Sequence, residues 1–79
     1  MSAISIIIPV FNESLAIRRQ LPALYRLKQA GHELIIADGG SHDDSLQVAG
    51  DVADHIIVTT PPGRARQMAA GIELASHDI

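Results

Sequence analysis

Three short apolar runs punctuate the chain, and stretches with apolar positions at helical spacing lie between and after them. The first run, Ile4-Ser5-Ile6-Ile7-Ile8-Pro9-Val10, is rich in β-branched residues and nearly continuous in its hydrophobicity. That pattern predicts a strand buried on both faces of a parallel sheet, ending at Pro9. Glu33-Leu34-Ile35-Ile36-Ala37-Asp38, closed by Gly39-Gly40, predicts a second strand, and His55 to Thr60 a third, interrupted by Pro61-Pro62-Gly63. From Ser14 to Ala30, Ile17, Leu21, Leu24 and Lys28 recur at helical spacing, and Gly31 stands where a left-handed residue would stop a helix. Pro22 is expected to kink or split that helix, because it donates no N–H and its ring clashes with the preceding turn. Ser41 to Asp44 offers N-caps for a second helix through about Ala53. After Gly63 a third helix is expected with Ala65, Met68, Ile72 and Ala75 on one stripe, and a fourth strand would start at Ile79.

Strands alternating with helices across short loops imply an α/β fold: a Rossmann-like parallel sheet covered by helices on both faces, in a single domain over residues 1–79. The chain is 47% apolar, which rules out a disordered tail, and its 79 residues are too few for a second domain and an interdomain cleft. A net charge of −3 argues against a dedicated nucleic-acid binder, which needs a surplus of Lys and Arg. There is no cysteine, hence no disulfide, thiolate zinc site or cysteine nucleophile. The longest apolar stretch, Ile4 to Phe11, falls far short of the ~20 residues that span a bilayer. With no basic N-terminal region either, a soluble cytoplasmic chain without a membrane segment is expected.

In such a sheet ligands bind outside the carboxyl ends of the strands. The rule selects the loops Pro9 to Glu13, Asp38 to Asp44 and Thr59 to Arg66, which hold Asn12, Glu13, Asp38, Asp43, Asp44, Arg64 and Arg66. Neither G-x-G-x-x-G nor a P-loop is present, which disfavours ordinary Rossmann dehydrogenases and P-loop phosphotransferases. Each polar residue has an ordinary structural alternative. Asp38 could cap the Gly39-Gly40-Ser41 turn, and Asp43, Asp44 and Glu13 could support helix first turns. Arg64 and Arg66 are harder to explain that way, since a cation at a helix N-terminus opposes the macrodipole unless an anion is bound. The four histidines share no metal-ligand spacing. Two Ser-His-Asp tripeptides, at Ser41 and Ser76, cannot form triads, because triad side chains converge from separate elements.

Three blocks in order carry a resemblance. Ile6-Ile7-Ile8-Pro9-Val10-Phe11-Asn12-Glu13, then Glu33 to Ser41 with Asp43 and Ser45, then Gly63-Arg64-Ala65-Arg66-Gln67-Met68 with Ala70-Gly71-Ile72, together resemble the N-terminal nucleotide-sugar-binding part of family 2 glycosyltransferases, the first half of a GT-A fold. The Pro-Pro-Gly-Arg-Ala-Arg-Gln-Met run looks most like a bacterial subgroup of unassigned substrate. The resemblance implies that Pro9, Val10 and Phe11 cup a nucleoside and that Glu13 accepts hydrogen bonds from ribose or base. It implies that Asp38 reads a pyrimidine N3–H, favouring uridine-type donors, and that Arg64 and Arg66 lie near base or diphosphate. Guanidinium forks suit phosphate oxygens. Related sequences usually carry Asn where Ala69 stands.

The resemblance also places an Asp-x-Asp metal motif, the acceptor surface and the catalytic base beyond Ile79. Mg²⁺ or Mn²⁺ is therefore expected of a full-length transferase, with its ligands outside this chain. A nucleotide diphosphate sugar is the expected partner, and the 79 residues alone are expected to be inactive. A stand-alone nucleotide-binding or regulatory module, or a non-functional truncated fragment, are the alternatives. The implied strand order of third, second, first, fourth leaves the first strand as an open edge, from which self-association is expected.

Overall fold

The computed structural model describes residues 3–78. Ile79, where the fourth strand was expected to begin, lies outside the described residues. The elements follow in the order β1 (Ser5–Val10), α1 (Ser14–Gln29), β2 (Glu33–Asp38), α2 (Ser45–Gly50), β3 (His55–Val58) and α3 (Arg64–Leu74). The three strands pair in parallel in the order β1-β2-β3, with Ile7 opposite Ile35 and Ile36 opposite Ile56.

β2 is central, and every residue from Leu34 to Asp38 is buried. Its side chains alternate between two layers, as the period of a strand requires. Leu34 and Ile36 face α1 and α2, where they meet Ile17, Leu24, Val48, Ala49 and Val52. Ile35 and Ala37 face the opposite side with Ile7, packing against Met68 and Ala75 of the α3 segment. Both faces of β2 are thus covered, which is why it reads as a nearly unbroken apolar run.

After β3 the chain crosses to the other face of the sheet and returns alongside the start of β1. There Ile4 and Asp78 form a parallel bridge, and the Ser5 amide donates to the Asp78 carbonyl at 2.7 Å. The connections therefore reverse direction at β1, the kind of switch point outside which open α/β sheets bind ligands.

Four local expectations are corrected. α1 runs unbroken through Pro22, which faces solvent, where water can satisfy the carbonyl freed by the missing N–H. α2 starts after Asp44 as expected but spans only Ser45–Gly50, ending short of Ala53 although the Ala49 carbonyl still accepts from Val52 and Ala53. β3 stops at Val58, although the Thr59 amide still reaches the Asp38 carbonyl at 2.7 Å. On α3 the buried positions are Gln67 and Gly71, while Ala65 and Ile72 face outward. Gly71 sets that phase: a Cβ there would stand 2.5 Å from Ile7 Cγ2, so only glycine lets the helix lie this close to β1. The expected left-handed stop is present, with Gly31 at φ 93°.

Candidate functional site

The first two rim loops are stitched together by short polar side chains. Asn12 adopts φ 50°, a left-handed conformation that Asn tolerates better than most residues. Its amide donates to Ser41 Oγ at 2.9 Å, and its Oδ1 accepts the His42 amide at 2.7 Å. The Glu13 amide donates to Ser45 Oγ at 2.9 Å, and Glu13 Oε1 accepts the Phe11 amide at 3.1 Å. Asp43 accepts from the Ser45 hydroxyl and from the backbone amides of Ser45 and Ser14, which holds its carboxyl below the usual range. Asp44 is lowered likewise, first by the Ser14 hydroxyl and then by Arg18. Asp43 and Asp44 thus secure the starts of α1 and α2.

Asp38 is fully buried. Its Oδ2 accepts the amides of Gly40 and Ser41 at 2.8 and 2.7 Å, and its Oδ1 accepts the Ser41 hydroxyl at 2.5 Å. Gly40, at φ 95°, provides the left-handed turn that brings both amides round. The carboxylate therefore caps the turn, and with no exposed surface it stands outside the residues that line the cleft above β1.

Five of the expected site residues line one cleft. Pro9, Val10, Phe11, Glu13 and Arg64, together with Gln67, enclose about 120 Å³ above the carboxyl end of β1. Of its lining residues Pro9, Val10 and Phe11 are apolar, Glu13 brings a carboxylate that only accepts hydrogen bonds, and Arg64 brings a guanidinium that only donates. Such a set can meet an apolar ring face, hydroxyl or N–H donors at Glu13 and an anionic group at Arg64. Arg66 lies outside this cleft, with its Nη1 donating to the Pro61 carbonyl at 3.0 Å. A larger, shallow groove of about 690 Å³ runs along the first turns of α1, lined by Asn12, Glu13, Ser14, Leu15, Ala16, Arg18, Arg19 and Asp43. The smaller cleft is the better candidate, because it sits over the strand ends at the switch point while the groove is open surface along one helix.

Gln67 escaped the sequence reading. Its one signal, a polar side chain on the inner face of α3, becomes visible only once the phase of that helix is known. Among the described residues no three His, Asp or Glu side chains converge as a divalent metal site would require. No helix among the described residues is long and apolar enough to cross a membrane.

The profile of glycosyl transferase family 2 matches residues 5–79. An undecaprenyl-phosphate 4-deoxy-4-formamido-L-arabinose transferase of Pseudomonas savastanoi pv. phaseolicola is 30% identical over 90 residues, which covers 96% of this chain and 26% of that protein. The chain thus spans about a quarter of the length of this curated relative. No solved structure matches it significantly. The match over nearly the whole chain, on a parallel α/β sheet whose loops gather at one rim, places the chain in glycosyl transferase family 2.

Proposed function

We propose that the cleft above β1 forms part of the site for the nucleotide of a nucleoside diphosphate sugar, of uridine type, and that the chain is the donor-binding part of an enzyme transferring the sugar to an acceptor hydroxyl. The observation that carries this reading is the convergence of Pro9, Val10, Phe11, Glu13 and Arg64 on one cleft at the switch point of the sheet. Phe11 is 37% exposed and offers its ring to a base, while Glu13 accepts from ribose hydroxyls. Arg64 supplies a cation for the diphosphate at the start of α3, where the backbone amides also favour an anion. Arg66 supports the Pro61 loop through its bond to the Pro61 carbonyl. Asp38 lies behind the cleft under the Gly40–Ser41 turn, and it reads the pyrimidine N3–H only when that turn opens.

Residues 1–79 act here as one nucleotide-sugar-binding unit in the cytoplasm. The named relative makes a polyprenyl phosphate and a modified arabinose the first compounds to try in a transfer assay. Calorimetric titration of the full-length protein with uridine and cytidine diphosphates tests the reading. Uridine diphosphate should bind more tightly, and the preference should shrink in Asp38→Asn, because an amide presents either a donor or an acceptor. Equal affinity for both nucleotides, unchanged in the variant, removes Asp38 from the site. No binding of either removes the cleft.

A further inference from the structure

We infer that Gln67 is the positioning residue of the cleft, fixing the separation of its walls and the placement of Arg64. The inference rests on the proposed nucleotide site. The side chain is only 4% exposed, yet it is polar, on the face of α3 where packing alone asks for an apolar residue. Its hydrogen bonds go to the backbone of three different rim segments. Nε2 donates to the Val10 carbonyl at 3.1 Å and to the Ala37 carbonyl at 2.8 Å, and Oε1 accepts the Gly63 amide at 2.9 Å. These are the carboxyl ends of β1 and β2 and the residue preceding α3.

The carboxamide has one workable orientation. Turned over, it would set its NH₂ against the Gly63 N–H and its oxygen against two carbonyls. An apolar side chain of similar volume could fill the space without joining the three segments. Val10 and Gln67 both line the cleft, and Gly63 is followed directly by Arg64, so the clamp acts on residues within or adjoining the walls. Gly39 is fitted to the same clamp. A Cβ there would lie 2.9 Å from Gln67 Oε1 and 2.7 Å from Pro62 Cβ, so the second rim loop can pass this close only as glycine.

The test uses the full-length protein with Gln67→Met and Gln67→Glu. Uridine diphosphate affinity is read by calorimetry, and amide hydrogen exchange is read at Gly63 and Arg64. Gln67→Met keeps the volume and loses all three bonds. It should bind at least about tenfold more weakly while unfolding cooperatively, with faster exchange at Gly63. Gln67→Glu keeps an acceptor for Gly63 but sets a carboxylate against two carbonyls. Its affinity should recover towards the parent's as pH falls and the carboxyl gains a donor proton. Glu13, Asp38 and Arg64 are common to both proteins, so the difference between the two pH profiles isolates position 67. Parental affinity in Gln67→Met, or a pH profile of Gln67→Glu that parallels the parent's, overturns the inference. If the parent does not bind the nucleotide, the proposed site fails on its own, and exchange decides the clamp: Gly63 and Arg64 as protected in Gln67→Met as in the parent overturns it.

Discussion

The Glu33 carboxylate, at the start of β2, accepts the backbone amide of Ser76 at 2.8 Å, across 43 residues of chain. It also accepts the Ser5 hydroxyl at 2.7 Å, and Ser5 Oγ in turn accepts the His77 amide at 3.0 Å. This network lies at the end of the sheet opposite the cleft and holds the segment after α3 beside β1, where Ile4 and Asp78 pair. The Ser76 amide, then the Ser5 hydroxyl and more weakly His55, bring the Glu33 carboxyl down to about 2.

The folded state thus favours the charged form, and Glu33 contributes stability that is complete above its unfolded value of 4.5 and lost as pH falls through about 2. Glu33→Gln should lower the thermal midpoint at neutral pH, and the gap to the parent should narrow between those two values. Asp43 and Asp44 also steepen the acid limb, but they are present in both proteins and cancel in the difference. A gap that is constant from neutral pH down to acid would show that Glu33 does not carry this linkage.

Gly71→Ala sets two effects against each other. Alanine in a helix interior is favoured over glycine by up to about 1 kcal/mol, but the new Cβ would meet Ile7 Cγ2 at 2.5 Å in a packed layer. Overpacking of that kind costs typically about 1–3 kcal/mol, so net destabilisation is expected. Combining it with Ile7→Ala removes the opposing methyl and should make the pair less destabilised than the sum of the single changes. Denaturant unfolding of the four proteins in the cycle measures this, and strict additivity would mean the helix simply shifts away.

Much of this architecture was legible in the sequence, for identifiable reasons. β1 and β2 pack on both faces, so Ile6-Ile7-Ile8 and Leu34-Ile35-Ile36 read as short apolar runs rich in β-branched residues, and Gly31 marked its turn because few other residues take φ 93°. The phase of α3 was not legible. Its sequence offers Ala65 and Ile72 as an apolar stripe, but long-range fit overrides local pattern: Gly71 nests on Ile7 and Gln67 reaches β1 and β2. The same blindness hid the clamp from the candidate site, since bonds to Val10 and Ala37 depend on residues 57 and 30 positions away. Nor could spacing separate Arg64 from Arg66, which only the placement of α3 divides between the cleft and the Pro61 loop.

That division has a measurable consequence. Arg64→Ala should weaken nucleotide diphosphate binding by at least about tenfold, since a charge-assisted hydrogen bond is worth about 1.5–3 kcal/mol. Arg66→Ala should do less, because its guanidinium is engaged with the Pro61 carbonyl outside the cleft. Calorimetry on the two variants ranks them, and parental affinity in both would reduce the arginines to surface charges.

Two strand edges of the sheet are open among the described residues, and they differ in hazard. β3 has four residues and exposes Ile56 and Val58 at 42% and 51%, but a short edge offers little ladder to a second chain. β1 has six residues without a charge, and among the described residues its outward side is met at its start, by the Ile4–Asp78 bridge and the Ser5 amide on the Asp78 carbonyl. Pro9 removes a donor only near the far end, so Ile6 to Ile8 present an unpaired, apolar template of the kind that recruits strands. The 79-residue chain by itself should therefore self-associate through β1 at micromolar concentrations. Val58→Lys places a charge on the β3 edge and should leave that association intact, whereas it would abolish association through β3. Analytical ultracentrifugation across a concentration series, with amide exchange along Ile6 to Ile8, distinguishes these cases. A cooperative, well-protected monomer at high micromolar concentration would show that these residues are a self-sufficient module, and would favour a stand-alone nucleotide-binding role over a donor-binding part.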